Sequence, residues 1–371
     1  RSGWEWNSAH MRHGEAWRVR RRFVHQRFGA SSPPRMEGLL RHNVAMLVHG
    51  FLETPGEFRH HVRRFAAANI IKAVYGIDIA PRDDPYVAIA ERAVDLLGVV
   101  VPGSNLVDVF PLLRFVPPWV PFFGRSTRLA KQMRPYPTAM IEVPYARARD
   151  DMEKGVAQQC MVTDLLSADI SENIVKEAGA VSYLGGADTM VSTMLAVVLS
   201  MVIHPDIQSR AQAELDAVLD SGESVRLPTL SDIPRLPYIE AIVNEAYRQY
   251  PVVPLCVPHA VEADDMYEGM LIPRGPLFHL RICLSWRLRA ILHDPDVYPD
   301  PQKFDPTRWL APDPPPNPRT AVFGFGRRIC PGRHFADASV FLVVASILKC
   351  FWFSEIPDKK VSGELHTSLV R

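Results

Sequence analysis

Apolar positions recur at helical spacing over most of the chain, and the breaks between them fall at proline and glycine. The spacing predicts a basic helix over residues 13–28, then helices over 37–54 and 57–76 parted by Pro55-Gly56. Residues 125–160 read as a helical pair interrupted near Pro135, Pro137 and Pro144. One long helix is expected from Ser171 to Ile203, closed by His204-Pro205. At ~1.5 Å per residue it would run about 50 Å, enough to cross a whole domain. Further helices are expected over 206–219, over 237–250 and from about Arg333 to Phe351. Only residues 252–274 alternate enough for strands, as a small hairpin turning at Glu268-Gly269. The proline-rich stretches 102–121 and 294–320 read as loop and ordered coil, and no internal repeat is visible. The fold class is mainly α with a small β portion.

Composition narrows this picture modestly. With 371 residues the chain could be two average domains or one large one. Apolar content of 47% and charged content of 22% are ordinary for a globular protein. A net charge of +1 gives no global field for nucleic acid. Residues 1–72, however, hold 13 Lys/Arg against 5 Asp/Glu, which is either a solvated helical face or a docking surface for an acidic partner. The five cysteines form no C-x-x-C pair and their count is odd, so neither a zinc site nor a disulfide framework follows. There is no signal peptide and no uninterrupted run of 18 apolar residues. Residues 99–123 are broken by five prolines, and residues 189–203 are too short to span a bilayer.

Candidate chemistry concentrates at a few places. Cys330 follows a glycine-rich turn, Phe323-Gly324-Phe325-Gly326, and precedes Pro331-Gly332 at a helix start. Gly326 allows a turn that a Cβ would resist. A thiolate at a helix N-terminus is favoured by the macrodipole and by free N–H groups, so this cysteine suits a soft metal. Phe323 can shield the sulfur, and Arg328 can reach an anionic group on a bound cofactor. Gly185 and Gly186 interrupt the long helix at roughly 1 kcal/mol each relative to alanine. They permit a bend and close approach of another group, and Asp188 and Thr189 directly after it could supply protons. Glu245 and Arg248, at i, i+3, share a helical face ahead of Pro251. Trp17 and Arg21, at i, i+4, present an indole N–H and a guanidinium, both donors to a carboxylate.

The run Phe323-x-x-Gly326-x-Arg328-x-Cys330-x-Gly332 resembles the haem-ligand loop of the cytochrome P450 family, the haem-thiolate monooxygenases, and it fixes five positions. Three further motifs stand in family order. Gly185-Gly186-Ala187-Asp188-Thr189-Met190 is similar to the oxygen-activation motif, departing at Met190 where the family has a hydroxyl residue. Glu245-x-x-Arg248 with Arg308, in Phe304-Asp305-Pro306-Thr307-Arg308, resembles the family's buried charge network, which is structural. Trp17-x-x-x-Arg21 is similar to the pair that holds a haem propionate, and His259 and Arg328 resemble further propionate contacts.

The resemblance spans Trp17 to Gly332 and implies a single cytochrome P450 domain over 1–371, of fungal type. A long central helix would lie over haem b, with Cys330 as the iron ligand below it. The chain starts at Arg1 and stops at Arg371, so it is expected to lack the N-terminal anchor and first sheet and the last strands. The implied activity is insertion of one oxygen atom of O₂ into a small apolar organic substrate. Electrons would come from NADPH through cytochrome P450 reductase, with cytochrome b5 as an optional donor, at the cytosolic face of the endoplasmic reticulum membrane. Two alternatives stand beside it: a reductase-independent haem-thiolate isomerase or peroxygenase, and a non-catalytic fragment. Residues 276–289 depart from the family, and their Arg281, Arg287 and Arg289 among apolar neighbours would fit an insertion or a misread gene segment.

Overall fold

Most helices fall where the periodicity places them, with ends set by local chemistry, while those at Pro85–Leu97 and Met161–Ser167 lie outside the expected set. The computed structural model describes residues 3–97, 107, 110–220, 225–257, 259, 261–274 and 288–355. The first four helices are α1 (Glu15–Phe28), α2 (Ser32–Glu53), α3 (Phe58–Tyr75) and α4 (Pro85–Leu97). Then come α5 (Arg125–Met133), α6 (Pro135–Glu153), α7 (Met161–Ser167), α8 (Glu172–Ala187), α9 (Thr189–Ile203), α10 (Pro205–Leu219) and α11 (Pro237–Gln249). A two-stranded antiparallel sheet follows, β1 (Asp265–Tyr267) paired with β2 (Met270–Ile272). It turns at Glu268-Gly269 as expected. The last helices are α12 (Leu288–Leu292), α13 (Arg319–Val322) and α14 (Arg333–Cys350).

Two boundaries differ from the sequence reading. α2 starts five residues early, because Pro33 and Pro34 lie in its first turn, where no intrahelical N–H is lost. α6 runs straight through Pro144. An internal proline removes a hydrogen bond and crowds the preceding turn. Here Pro144 is itself buried, and Met140, Tyr145 and Ala148 bury the same face, which offsets that penalty. The expected coil 294–320 holds two short turns of helix, at Pro306–Leu310 and at α13.

The core is built around α8, α9 and α14. α3 packs on α2 and α8, while α14 packs on α2, α9, α10 and α11. α1 docks on this stack by burying Trp17, Val24 and Phe28 at helical spacing, and the Phe28 ring meets Phe335 of α14 edge-on at 5.3 Å. Such a pair adds about 0.5–1.5 kcal/mol beyond area burial. α11 begins at Pro237, and its next N–H groups, on Tyr238 and Ile239, donate to the Glu214 carboxylate of α10 at 2.9 and 3.1 Å. That contact caps one helix with a charge from another.

Residues 172–203 are long and apolar enough to cross a membrane by length and composition, although no 18-residue apolar run is present. Their most apolar window is 56% buried against the rest of the protein, as suits a core helix.

Candidate active site around Cys330

The loop ahead of α14 is pinned by its own backbone. Cys330 N–H donates to the Phe323 carbonyl at 2.7 Å and Ile329 N–H to Gly326 at 3.2 Å. Gly324 and Gly326 take φ of 76° and 57°, left-handed values that favour glycine. Gly332 caps α14. Burial pushes the Cys330 thiol up, while the Gly332 N–H and the charges of Arg21 and Arg333 pull it down without prevailing. A bound metal cation reverses that balance, because a coordinated thiol is deprotonated outright.

Three guanidinium groups gather at this loop: Arg21 and Arg333, whose charges act on Cys330, and Arg328, whose charge acts on Arg21. Arg21 donates through Nη2 to the Ile329 carbonyl, next to Cys330. Arg328 stacks over the Trp17 ring at 4.4 Å and donates to the Met11 carbonyl at 2.7 Å. Arg21 sits 5.5 Å from the same ring. Burial, and then the neighbouring charges of Arg328 and Arg333, hold Arg21 below its usual value despite the counteracting Cys330. Arg328 is also held down by burial, partly relieved by Glu262. Among the described residues none of the three has a carboxylate within ion-pair distance. The cluster is therefore short of negative charge.

The bend in the central helix is visible at Asp188, between α8 and α9. The two glycines serve different sides of it. A Cβ on Gly186 would come within 2.5 Å of Ile70, so α3 approaches the backbone closely there. A Cβ on Gly185 would meet nothing within 4 Å, and Gly185 is exposed in a helix whose neighbours Ser182, Tyr183 and Leu184 are buried. Positions 324, 326 and 332 are equally open. Thr189 Oγ1 donates to the Gly185 carbonyl at 2.7 Å, which fixes the hydroxyl at the bend and leaves its lone pairs to accept.

The Glu245 network is tighter than the motif alone predicts. Glu245 and Arg248 are fully buried. Arg248 donates to both Glu245 oxygens at 2.8 and 2.9 Å and to the carbonyls of Leu292, Pro301 and Lys303. Arg308 Nε donates to Glu245 Oε1 at 3.2 Å. Sequence reasoning missed two more donors, Trp309 Nε1 to Glu245 Oε2 at 3.1 Å and Asp305 N–H to Oε1 at 2.9 Å. Both lie inside or beside the Phe304–Trp309 run, so adjacency was the available signal.

His259 is not joined to the arginine cluster by any contact among the described residues; its Nδ1 lies 2.7 Å from the Val257 carbonyl. The basic face of α1 is smaller than its composition implies. Arg20 turns in to Glu177 on α8 and Arg21 to the cysteine loop, leaving Arg18 and Arg22 exposed. The atypical segment 276–289 lies outside the described residues except for Leu288 and Arg289.

One soft ligand, guanidinium groups with no carboxylate at ion-pair distance among the described residues, and open faces on both the cysteine loop and the helix bend suit a flat, anionic metal macrocycle. No cluster of three His, Cys, Asp or Glu side chains occurs among the described residues. A family model described as cytochrome P450 matches residues 3–371. A cytochrome P450 monooxygenase of Armillaria gallica is 36% identical over 96% of this chain and 70% of its own length. A numbered cytochrome P450 monooxygenase of Postia placenta is 37% identical over 90% of this chain and 65% of its own. The tryptamine 4-monooxygenase of Psilocybe cyanescens is 34% identical over 94% and 69%. The chain thus spans about two thirds of the length of these fungal relatives. A zebra fish cytochrome P450, in a structure with progesterone, shares the fold at TM-score 0.73 and 24% identity, over 95% of this chain and 78% of that one. The chain belongs to the cytochrome P450 family, oxidoreductases that incorporate molecular oxygen.

Proposed function

We propose that this chain is the core of a haem-thiolate monooxygenase in which Cys330 ligates the haem iron and Trp17, Arg21 and Arg328 hold its propionates. The observation that carries the reading is the cation cluster beside Cys330, which has no carboxylate within ion-pair distance among the described residues. When bound, haem b supplies the activation of O₂ and the transfer of one oxygen atom. The residues present do the rest. Arg21 and Arg328 orient the carboxylates by charge-assisted hydrogen bonds. Phe323, packed edge-on against Tyr247 at 5.5 Å, screens the sulfur from water. Asp188 and Thr189 stand at the bend, where a proton can be passed toward the open face at Gly185. Gly326 and Gly332 keep the loop's backbone free of side chains on that face.

Electrons from NADPH arrive through a reductase, and the substrate is a small apolar organic molecule. The segment 110–123 supports a setting at a membrane surface, the cytosolic face of the endoplasmic reticulum. Leu112 and Trp119 are 80% and 79% exposed there, beside Phe110, Phe115 and Phe122. The whole reading is tested by reconstituting the purified chain with haem, NADPH and a reductase, then screening apolar compounds for substrate-dependent NADPH use. No haem uptake would sink it, and product formation without reductase would favour the peroxygenase alternative.

Thr189→Ala is expected to leave haem content unchanged but to uncouple NADPH use from product, releasing peroxide or water. Coupling equal to the parent would mean that Asp188 or water carries the proton alone. Reduction by the partner is expected to slow with added salt, because Arg18 and Arg22 steer an acidic surface and exposed charges are screened within about 8 Å at physiological ionic strength. Stopped-flow reduction rates that ignore salt would remove α1 from the docking face.

A further inference from the structure

A second charge cluster, absent from the motif reading, occupies the other face of α11. Glu240, Asn244 and Tyr247 lie at i, i+4 and i+7 and so share one stripe of that helix. Into it reaches Arg319 of α13. Its Nη2 donates to Glu240 Oε2 at 3.1 Å, its Nη1 to Asn244 Oδ1, and its Nε to Asp337 Oδ1 of α14 at 2.9 Å. Tyr247 is the hub. Its hydroxyl donates to Asp337 Oδ1 at 3.0 Å, its ring lies 5.5 Å from the Arg319 guanidinium, and its edge meets Phe323 at 5.5 Å.

We propose that Arg319 and Asp337 are positioning residues that staple together the two ends of the Cys330 loop and, through Tyr247, bolt the closed loop to α11. This rests on the reading of Cys330 as the haem ligand. Arg319 precedes Phe323 and Asp337 follows Gly332, so one ion pair closes the entire loop. The four-residue helix α13 has too few internal hydrogen bonds to hold its own place. Ala321 and Val322 pack it into a cluster with Leu288, Leu292 and Tyr298, and the Arg319 side chain adds the polar tie to α11 and α14. From there the connection to the sulfur is short: Arg319 fixes α13, Tyr247 fixes Phe323, and the Phe323 carbonyl accepts the Cys330 N–H.

The cluster differs from the exposed pairs elsewhere on this chain. Arg147 and Asp151 pair within one helix with the arginine 56% exposed, and such pairs contribute little. Arg319, Glu240 and Asp337 are 19%, 27% and 28% exposed, and the guanidinium serves three side-chain acceptors at once. Burial alone would pull Arg319 down, but Asp337 and Glu240 more than offset it, and Arg319 is held above its usual value. The Glu245 network, on the opposite face, shares none of these residues.

The test compares Arg319→Gln, Arg319→Lys and the parent chain by amide exchange of peptides covering 323–332 and by the thiolate-type share of the ferrous carbonyl spectrum per haem. Arg319→Gln should exchange the loop about tenfold faster while α8 and α9 keep parent rates, a local opening rather than global loss. The thiolate-type share should fall several-fold, and Arg319→Lys, which keeps charge but not the fork, should recover part of it. Parent-like exchange in the loop, or faster exchange spread evenly over the chain, overturns the proposal. If Arg319→Gln does not fold, Tyr247→Phe removes only the bond to Asp337, and the loop must still exchange faster than the parent's or the proposal fails. Exchange is read on the purified chain whatever it binds. A parent without the thiolate spectrum therefore defeats the haem-thiolate reading, while the staple is judged separately.

Discussion

Cys330→Ser is expected to abolish the thiolate-specific red shift of the ferrous carbonyl spectrum and to lower haem content, with the fold retained. The loop does not depend on the sulfur for its shape. The Cys330 N–H to Phe323 bond and the left-handed glycines at 324 and 326 are backbone features that serine preserves. What serine removes is the soft donor, since a hydroxyl stays protonated where a coordinated thiol does not. Cys160 and Cys350 provide the controls. Cys160 is buried at the start of α7, where its sulfur accepts from Thr163 N–H at 3.5 Å. Cys350 ends α14, about 25 Å from the start of that helix at ~1.5 Å per residue. Serine at either place should leave the spectrum as it was. An unchanged spectrum in Cys330→Ser would falsify the ligand assignment.

Much of the site was legible because its chemistry is local. The Phe323–Gly332 loop, the Gly185-Gly186 bend and the Trp17/Arg21 pair each need particular residues at fixed short spacings; in the structure the loop turns at Gly324 and Gly326, the helix bends at Asp188, and Arg21 lies 5.5 Å from the Trp17 ring. The Glu245 network was legible in part, through Arg248 at i+3 and Arg308 in its own motif. Trp309 and the Asp305 N–H were not, because nothing in a sequence says which neighbours of an arginine turn inward.

The Arg319 cluster was invisible for a stronger reason. Its members come from α11, α13 and α14, with Glu240 and Arg319 79 positions apart. No periodicity relates residues so distant, and only packing of the helices brings them together. The same limit explains the basic helix. Composition counted Arg20 and Arg21 toward an exposed face, whereas packing on α8 and on the cysteine loop turns both inward.

The largest effect on stability is expected from Glu245→Ala. Glu245 and Arg248 are completely buried, and Arg308 is 9% exposed. Removing the carboxylate leaves both arginines, the Trp309 indole N–H and the Asp305 N–H without their shared acceptor. Breaking a buried pair by one member costs about 3–5 kcal/mol. Native domains have only about 5–15 kcal/mol in hand. Arg248→Ala should be nearly as severe, because it also strips the carbonyls of Leu292, Pro301 and Lys303 of a donor. Arg308→Ala should be milder, since its edge reaches solvent and water can replace it. Glu245→Gln, which keeps the shape and one acceptor, should fall between the alanine variants and the parent. Soluble yield, melting temperature and haem content of the four variants measure this order. Because the network holds the coil 299–309 rather than the cysteine loop, any variant that folds should still show a thiolate-type spectrum per haem bound. Alanine variants with normal melting and full haem would reduce the network to a pair of no structural consequence.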